Sequence, residues 1–265
     1  MTEPSISTPL VVVRQSDGVT VVTMSDAPSR NALSPEMVEG LVSAYDRAEQ
    51  DGVTRCIVLV GEGPAFCAGA ALSALEVSSS GDFDGIEDVY RGFLRVLSSS
   101  LPTIAVVNGP AVGAGLNLAL ACDLRLATTE ALFDSRFLAL RLIPGGGHTW
   151  LLERAVGRET ATAMVVFGEK LDAAAALTKG LVWRVFDSAA EATTSAIALA
   201  GRLARADVEF VGALTHLART APNHSAHADA LEIERYMQRW STSRPEFVAA
   251  VRRMRDAVEG HSAAR

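Results

Sequence analysis

The stretch Val107-Asn108-Gly109-Pro110-Ala111-Val112-Gly113-Ala114-Gly115-Leu116-Asn117 joins two apolar runs through a loop rich in glycine. Residues 103–107 read as a buried strand, Asn108-Gly109-Pro110 as the turn that ends it, and residues 116–121 as a buried helix of small and apolar residues. A strand that feeds a loop and then a helix is the unit of a parallel α/β sheet. The same order occurs upstream. Residues 56–60 make a short apolar strand, Gly61-Glu62-Gly63-Pro64 ends it, and a second loop follows, Pro64-Ala65-Phe66-Cys67-Ala68-Gly69-Ala70-Ala71-Leu72.

Residues 11–14 and 19–24 read as a hairpin about Asp17-Gly18, a favourable two-residue turn. Ser34-Pro35-Glu36 opens a helix, with Ser34 as cap and Pro35 at the first helical position. Its apolar residues Met37, Val38, Leu41, Val42 and Tyr45 recur at helical spacing to near Glu49. Ser78-Ser79-Ser80-Gly81-Asp82 is a polar insertion before a helix around 86–97, and residues 124–127 return as a strand. From about Arg158 the pattern is almost all helix, with a strand expected at 182–186. The reading is an α/β core over 1–200 and a helical region over 201–265, with successive helices at 189–204, 208–219, 226–240 and 245–258.

The chain has 265 residues, 49% hydrophobic and 21% charged, enough to bury a large core. A net charge of −7 argues against a general nucleic-acid binder, which needs a basic stripe. Three cysteines (Cys56, Cys67 and Cys122) lack paired spacing and read as buried free thiols, and no ligand cluster suggests a metal. The N-terminus lacks the basic and apolar regions of a signal peptide, and the apolar stretch at 111–122 is too short to span a bilayer. A cytoplasmic protein without membrane insertion is expected.

A third glycine segment, Leu142-Ile143-Pro144-Gly145-Gly146-Gly147, follows the second loop. With Asn31-Ala32-Leu33 and Ala121-Cys122-Asp123-Leu124, the glycine segments resemble the motifs of the enoyl-CoA hydratase/isomerase (crotonase) family, in that family's order, over roughly residues 10–186. The resemblance implies a crotonase-like ββα spiral core with a C-terminal helical region. It also implies an acyl-CoA thioester as ligand, no cofactor apart from the coenzyme A of the substrate, and a homotrimer or hexamer packed through the C-terminal helices.

Reaction at a thioester puts negative charge on its carbonyl oxygen, and two backbone N–H groups aimed at that oxygen stabilise it by about 2.7–4 kcal/mol for each donor. By resemblance the donors are the N–H groups of Ala70 and Ala114, with Gly69, Gly113 and Gly115 allowing close approach. The adenine and pantetheine of coenzyme A are expected along Phe66, Ala68 and Leu72. Arg30 either meets a CoA phosphate or is simply solvated. The run Arg252-Arg253-Met254-Arg255 is either a phosphate contact to a neighbouring subunit or an exposed helix face.

Hydration of a 2-enoyl thioester needs acid–base groups, and by resemblance the family's hydratases use two glutamates. Asn117 and Phe137 stand at those positions, and neither exchanges protons in the usual range. Ala71 stands where aspartate is usual, and Gly145 where dehalogenase-like members and dienoyl isomerases carry aspartate. What remains near the expected pocket is His148, Asp134 and Glu153. His148 at a helix start is expected to stay neutral and is either a base or a helix-start or surface histidine. Two functions follow: an atypical crotonase-family enzyme with weak ordinary hydratase activity, or a non-catalytic acyl-CoA carrier or sensor. A carboxylate in reach of the thioester favours the first, and an apolar closed pocket around Asn117 and Phe137 the second.

Overall fold

The computed structural model describes residues 9–79 and 83–262. The leading residues 1–8, on which the signal-peptide reading falls, and residues 80–82 of the polar insertion lie outside the described residues. The strands are β1 (Val11–Ser16), β2 (Val19–Met24), β3 (Cys56–Gly61), β4 (Thr103–Val107), β5 (Ala111–Val112), β6 (Leu124–Thr128), β7 (Leu132–Asp134), β8 (Lys170–Asp172) and β9 (Arg184–Phe186). They make a six-stranded sheet in the order β1-β2-β3-β4-β6-β9 and a three-stranded sheet in the order β5-β7-β8. In the larger sheet β1 and β2 are antiparallel and all other neighbours are parallel.

Local chemistry explains the elements. Asp17 and Gly18 both have positive φ (50° and 78°), which the two-residue hairpin turn between right-twisted strands requires. Ser34 accepts a hydrogen bond from the Met37 N–H at 3.2 Å and starts the helix Pro35–Gln50, which returns the chain from β2 to β3. That helix buries Met37, Val38, Leu41, Ala44, Tyr45 and Ala48, one face at helical spacing. β3 is apolar throughout because both of its faces are covered. Ile57 and Leu59 point into the main core with Tyr45, Phe66 and Phe93. Val58 and Val60 point the other way, into a smaller core closed by Ala192, Ala196 and Ala200 of the helix Ala189–Ala200.

This is the α/β arrangement that the family resemblance implies. Two compact units are present: one ends at Val208, and the other begins at Glu209 and contains the helices His227–Thr242 and Pro245–Ser262. The strand expected at 182–186 is shorter, Arg184–Phe186, because the N–H groups of Leu181 and Val182 bond back to the Ala176 carbonyl. The reading of helix after residue 158 passes over β8, which at three residues is too short to show a period and exists by pairing with β7. Among the described residues, no helix is long and apolar enough to cross a membrane.

Candidate active site

Two asparagines hold the first glycine loop. Asn31, fully buried, donates from Nδ2 to the carbonyls of Glu62 (3.0 Å) and Ala65 (2.9 Å). Asn108 donates from Nδ2 to the Gly63 carbonyl (3.0 Å) and accepts at Oδ1 from the Gly61 N–H (3.1 Å). The second loop then docks on the first: the Val112 N–H donates to the Cys67 carbonyl at 3.0 Å, and Cys67 and Ala111 form a parallel bridge. Gly69 makes the approach possible. Its φ is +101°, and a Cβ there would lie 2.6 Å from the Val112 carbonyl oxygen and 3.5 Å from the Ala114 nitrogen.

These contacts bring Ala70 and Ala114 to the wall of one cavity of about 200 Å³. Among the described residues, neither Ala70 N–H nor Ala114 N–H donates to a protein acceptor. Ala114 is the first residue of the helix Ala114–Ala121, so its N–H belongs to the positive end of the helix. Two unused main-chain donors at one cavity are what an oxyanion site needs.

Ala68, Gly69, Leu72, Gly113, Asn117 and Phe137 line the same cavity. Phe66 does not. Its side chain is fully buried in the main core. Arg30 is exposed, with a left-handed backbone (φ 53°), and its carbonyl accepts from the N–H of cavity-lining Ala68 at 2.9 Å. Among the described residues no carboxylate lines the cavity. Asp134, at the end of β7, is buried and tied to Arg136 (2.7 Å) and Lys170 (3.3 Å). Burial opposes its ionisation, yet the hydrogen bonds and charges of Arg136 and Lys170 hold its carboxyl below the usual range. Glu153 is exposed and lines no part of the cavity.

Behind the lining lies a polar series. His148 begins the helix His148–Val166 and is 1% exposed. Its Nδ1 is 2.6 Å from Asn117 Oδ1, its Nε2 is 2.9 Å from Ser135 Oγ, and its ring meets Phe137 edge-on at 4.9 Å. Asn117 Nδ2 donates to the Gly145 carbonyl at 3.2 Å. That carbonyl can only accept, so the amide presents its oxygen to the imidazole, and the hydrogen of His148 resides on Nδ1. Nε2 is then the acceptor for the Ser135 hydroxyl. Burial pushes the His148 pKa down to about 4, so the ring is neutral at physiological pH.

Ser135 and Tyr90 are absent from the residues singled out by sequence. Ser135 is 13 residues from His148 and meets it only through the fold. The Tyr90 hydroxyl fills the space that a side chain at position 145 would take, so glycine is the residue that fits there. Burial and the nearby Glu87 push the Tyr90 pKa up, so the phenol remains a donor.

The sequence profile described as "Enoyl-CoA hydratase/isomerase" matches residues 14–253. The chain belongs to the enoyl-CoA hydratase/isomerase family. Within the family it is 45% identical over 240 residues to the protein named "Probable enoyl-CoA hydratase EchA14" of Mycobacterium tuberculosis, covering 87% of this chain and 91% of that one. It is 34% identical over 227 residues to the 1,2-epoxyphenylacetyl-CoA isomerase of Escherichia coli, covering 84% and 86%. The solved structure of an enoyl-CoA hydratase from Polaromonas sp. JS666 superposes with a TM-score of 0.82 at 29% identity, covering 91% of this chain and 96% of that chain. The family's acyl-CoA chemistry therefore applies at the level of fold and ligand class.

Proposed function

We propose that the protein binds an acyl-CoA thioester with its carbonyl oxygen between the N–H groups of Ala70 and Ala114, and that it acts on the thioester without the paired carboxylates of hydration. The observation that carries this reading is the pair of main-chain donors without a protein acceptor at one cavity. Phe137 adds only apolar surface there, and Asn117 is engaged with His148 and Gly145. The neutral imidazole of His148 is the remaining proton acceptor, one residue layer behind the wall. This reading assigns Arg30, whose carbonyl accepts from the Ala68 N–H, to a CoA phosphate and cavity-lining Leu72 to the pantetheine.

A carrier or sensor is the second reading, favoured by the absence of a lining carboxylate among the described residues. Replacing Ala114 by proline tests the ligand site, since proline removes the N–H and is tolerated at a first helical position. The folded variant is expected to bind butyryl-CoA at least tenfold more weakly by calorimetry. Parent-like affinity in a folded variant removes Ala114 as a donor.

A further inference from the structure

Ser135 stands beside the proposed oxyanion donors as well as on His148. β5 and β7 pair in parallel with Val112 opposite Asp134, and the Gly113 N–H donates to the Asp134 carbonyl at 2.9 Å. Gly113 and Ser135 therefore follow side by side, one residue before Ala114. Adjacent strands lie about 4.8 Å apart. A thioester carbon whose oxygen rests on the Ala70 and Ala114 N–H groups is then within reach of a serine one residue past the end of the adjoining strand. Ser135 lines the same cavity, and its hydroxyl donates to an imidazole nitrogen whose partner nitrogen is held by a side-chain amide. A hydroxyl, a base and an orienting group in that order make an activated nucleophile.

We infer that Ser135 is an acyl acceptor and that the protein hydrolyses acyl-CoA thioesters through an ester on Ser135, an inference that rests on the acyl-CoA reading above. As Oγ bonds to the thioester carbon, its proton passes to His148 Nε2 and the carbonyl π pair moves to the oxygen held by Ala70 and Ala114. Collapse restores the carbonyl and breaks the C–S bond, and the departing sulfur takes the proton from His148 to leave as the CoA thiol. Water then adds to the ester carbon, losing a proton to Nε2. The C–Oγ bond breaks and that proton returns to Oγ. The net reaction converts thioester and water to carboxylic acid and thiol.

Two features order the rates. Asn117 orients the imidazole without the negative charge that would offset an imidazolium, so both steps are slow compared with a carboxylate-supported triad. A thiol of pKa about 8.5 leaves far more readily than an alkoxide, so the ester accumulates.

Rapid mixing of the full chain with butyryl-CoA, acid quenching and peptide mass mapping tests this. A butyryl group on Ser135 is expected, with a stoichiometric burst of thiol followed by slow turnover. Ser135→Ala abolishes both, with binding of S-(2-oxopentyl)-CoA retained, a thioether that keeps a carbonyl oxygen but has no acyl C–S bond to break. Ser135→Cys restores the adduct on the new sulfur, and His148→Gln slows acylation by about 10²–10⁴-fold. Unchanged thiol release in Ser135→Ala overturns the role of Ser135. So does the absence of both acyl mass and thiol release while the thioether binds, an outcome that leaves the acyl-CoA reading standing. Failure of the thioether to bind overturns that reading itself, and the inference with it.

Discussion

Asn117 Oδ1 lies 2.6 Å from His148 Nδ1, joining the first turn of one helix to the first residue of another across 31 positions of sequence. The position at which the resemblance places a catalytic glutamate thus carries the residue that sets an imidazole's tautomer.

Hydration of crotonyl-CoA is the first consequence. With Asn117 and Phe137 at the positions where the resemblance puts the two carboxylates, turnover is expected at least 10²-fold below the roughly 10 s⁻¹ typical of enzymes. The double change Asn117→Glu/Phe137→Glu is expected to raise it. A steady-state assay at saturating substrate checks both, and a parent rate near the enzyme median shows that the acid–base groups lie elsewhere.

His148 also links stability to pH. Its folded pKa of about 4 lies below the unfolded value near 6.5, so between these limits the unfolded chain binds more protons. Stability from this group is full above about pH 6.5 and falls on acidification through about pH 4, by about 3 kcal/mol in all. Urea midpoints from pH 7 to pH 4 measure the slope. His148→Gln should remove that part of the pH dependence.

Gly145 is set against the Tyr90 hydroxyl, so Gly145→Ala forces a clash and is expected to cost about 1–3 kcal/mol. In a Tyr90→Phe background the cost should shrink, because the atom nearest the new methyl is gone. A double-mutant cycle by chemical denaturation reads the coupling, and strict additivity would place Tyr90 elsewhere.

Cys56 and Cys67 are buried, and burial pushes both thiols up to about 12. Neither is expected to react with an aromatic disulfide reagent in the native protein at pH 8, while both react in denaturant. Counting modified cysteines by mass, with and without denaturant, is the check.

Assembly is expected through the helix His227–Thr242, where Leu231 and Tyr236 are 40% and 73% exposed and Ile233 and Trp240 are half-buried. This apolar surface is expected to be covered in a trimer or hexamer. Light scattering at micromolar concentration gives the mass directly. Leu231→Glu together with Tyr236→Glu should shift it toward monomer, and a parent mass of one chain excludes this surface as an interface.

Much of the fold was readable locally. The Asp17-Gly18 turn, the Ser34 cap with Pro35, and the apolar run of β3 each report chemistry among close neighbours, and their strands and helices lie within a residue or two of expectation. β5, β7 and β8 escaped because two or three residues cannot display a period, and their pairing is non-local. Ala70 and Ala114 came from the family resemblance of the loops, whose glycines stand where main chain must crowd main chain.

By itself, then, the sequence determined the family and the glycine loops, and it put Asn117 and Phe137 where the resemblance expects glutamates, all of which are matters of residue identity at ordered positions. Tertiary structure alone decided that Phe66 faces the core, that Tyr90 fills the space beside Gly145, and that Ser135, His148 and Asn117 meet. Hydrogen bonds and side-chain packing act over a few ångströms in space, and the chain reaches those distances between residues far apart in sequence only after the sheets have closed.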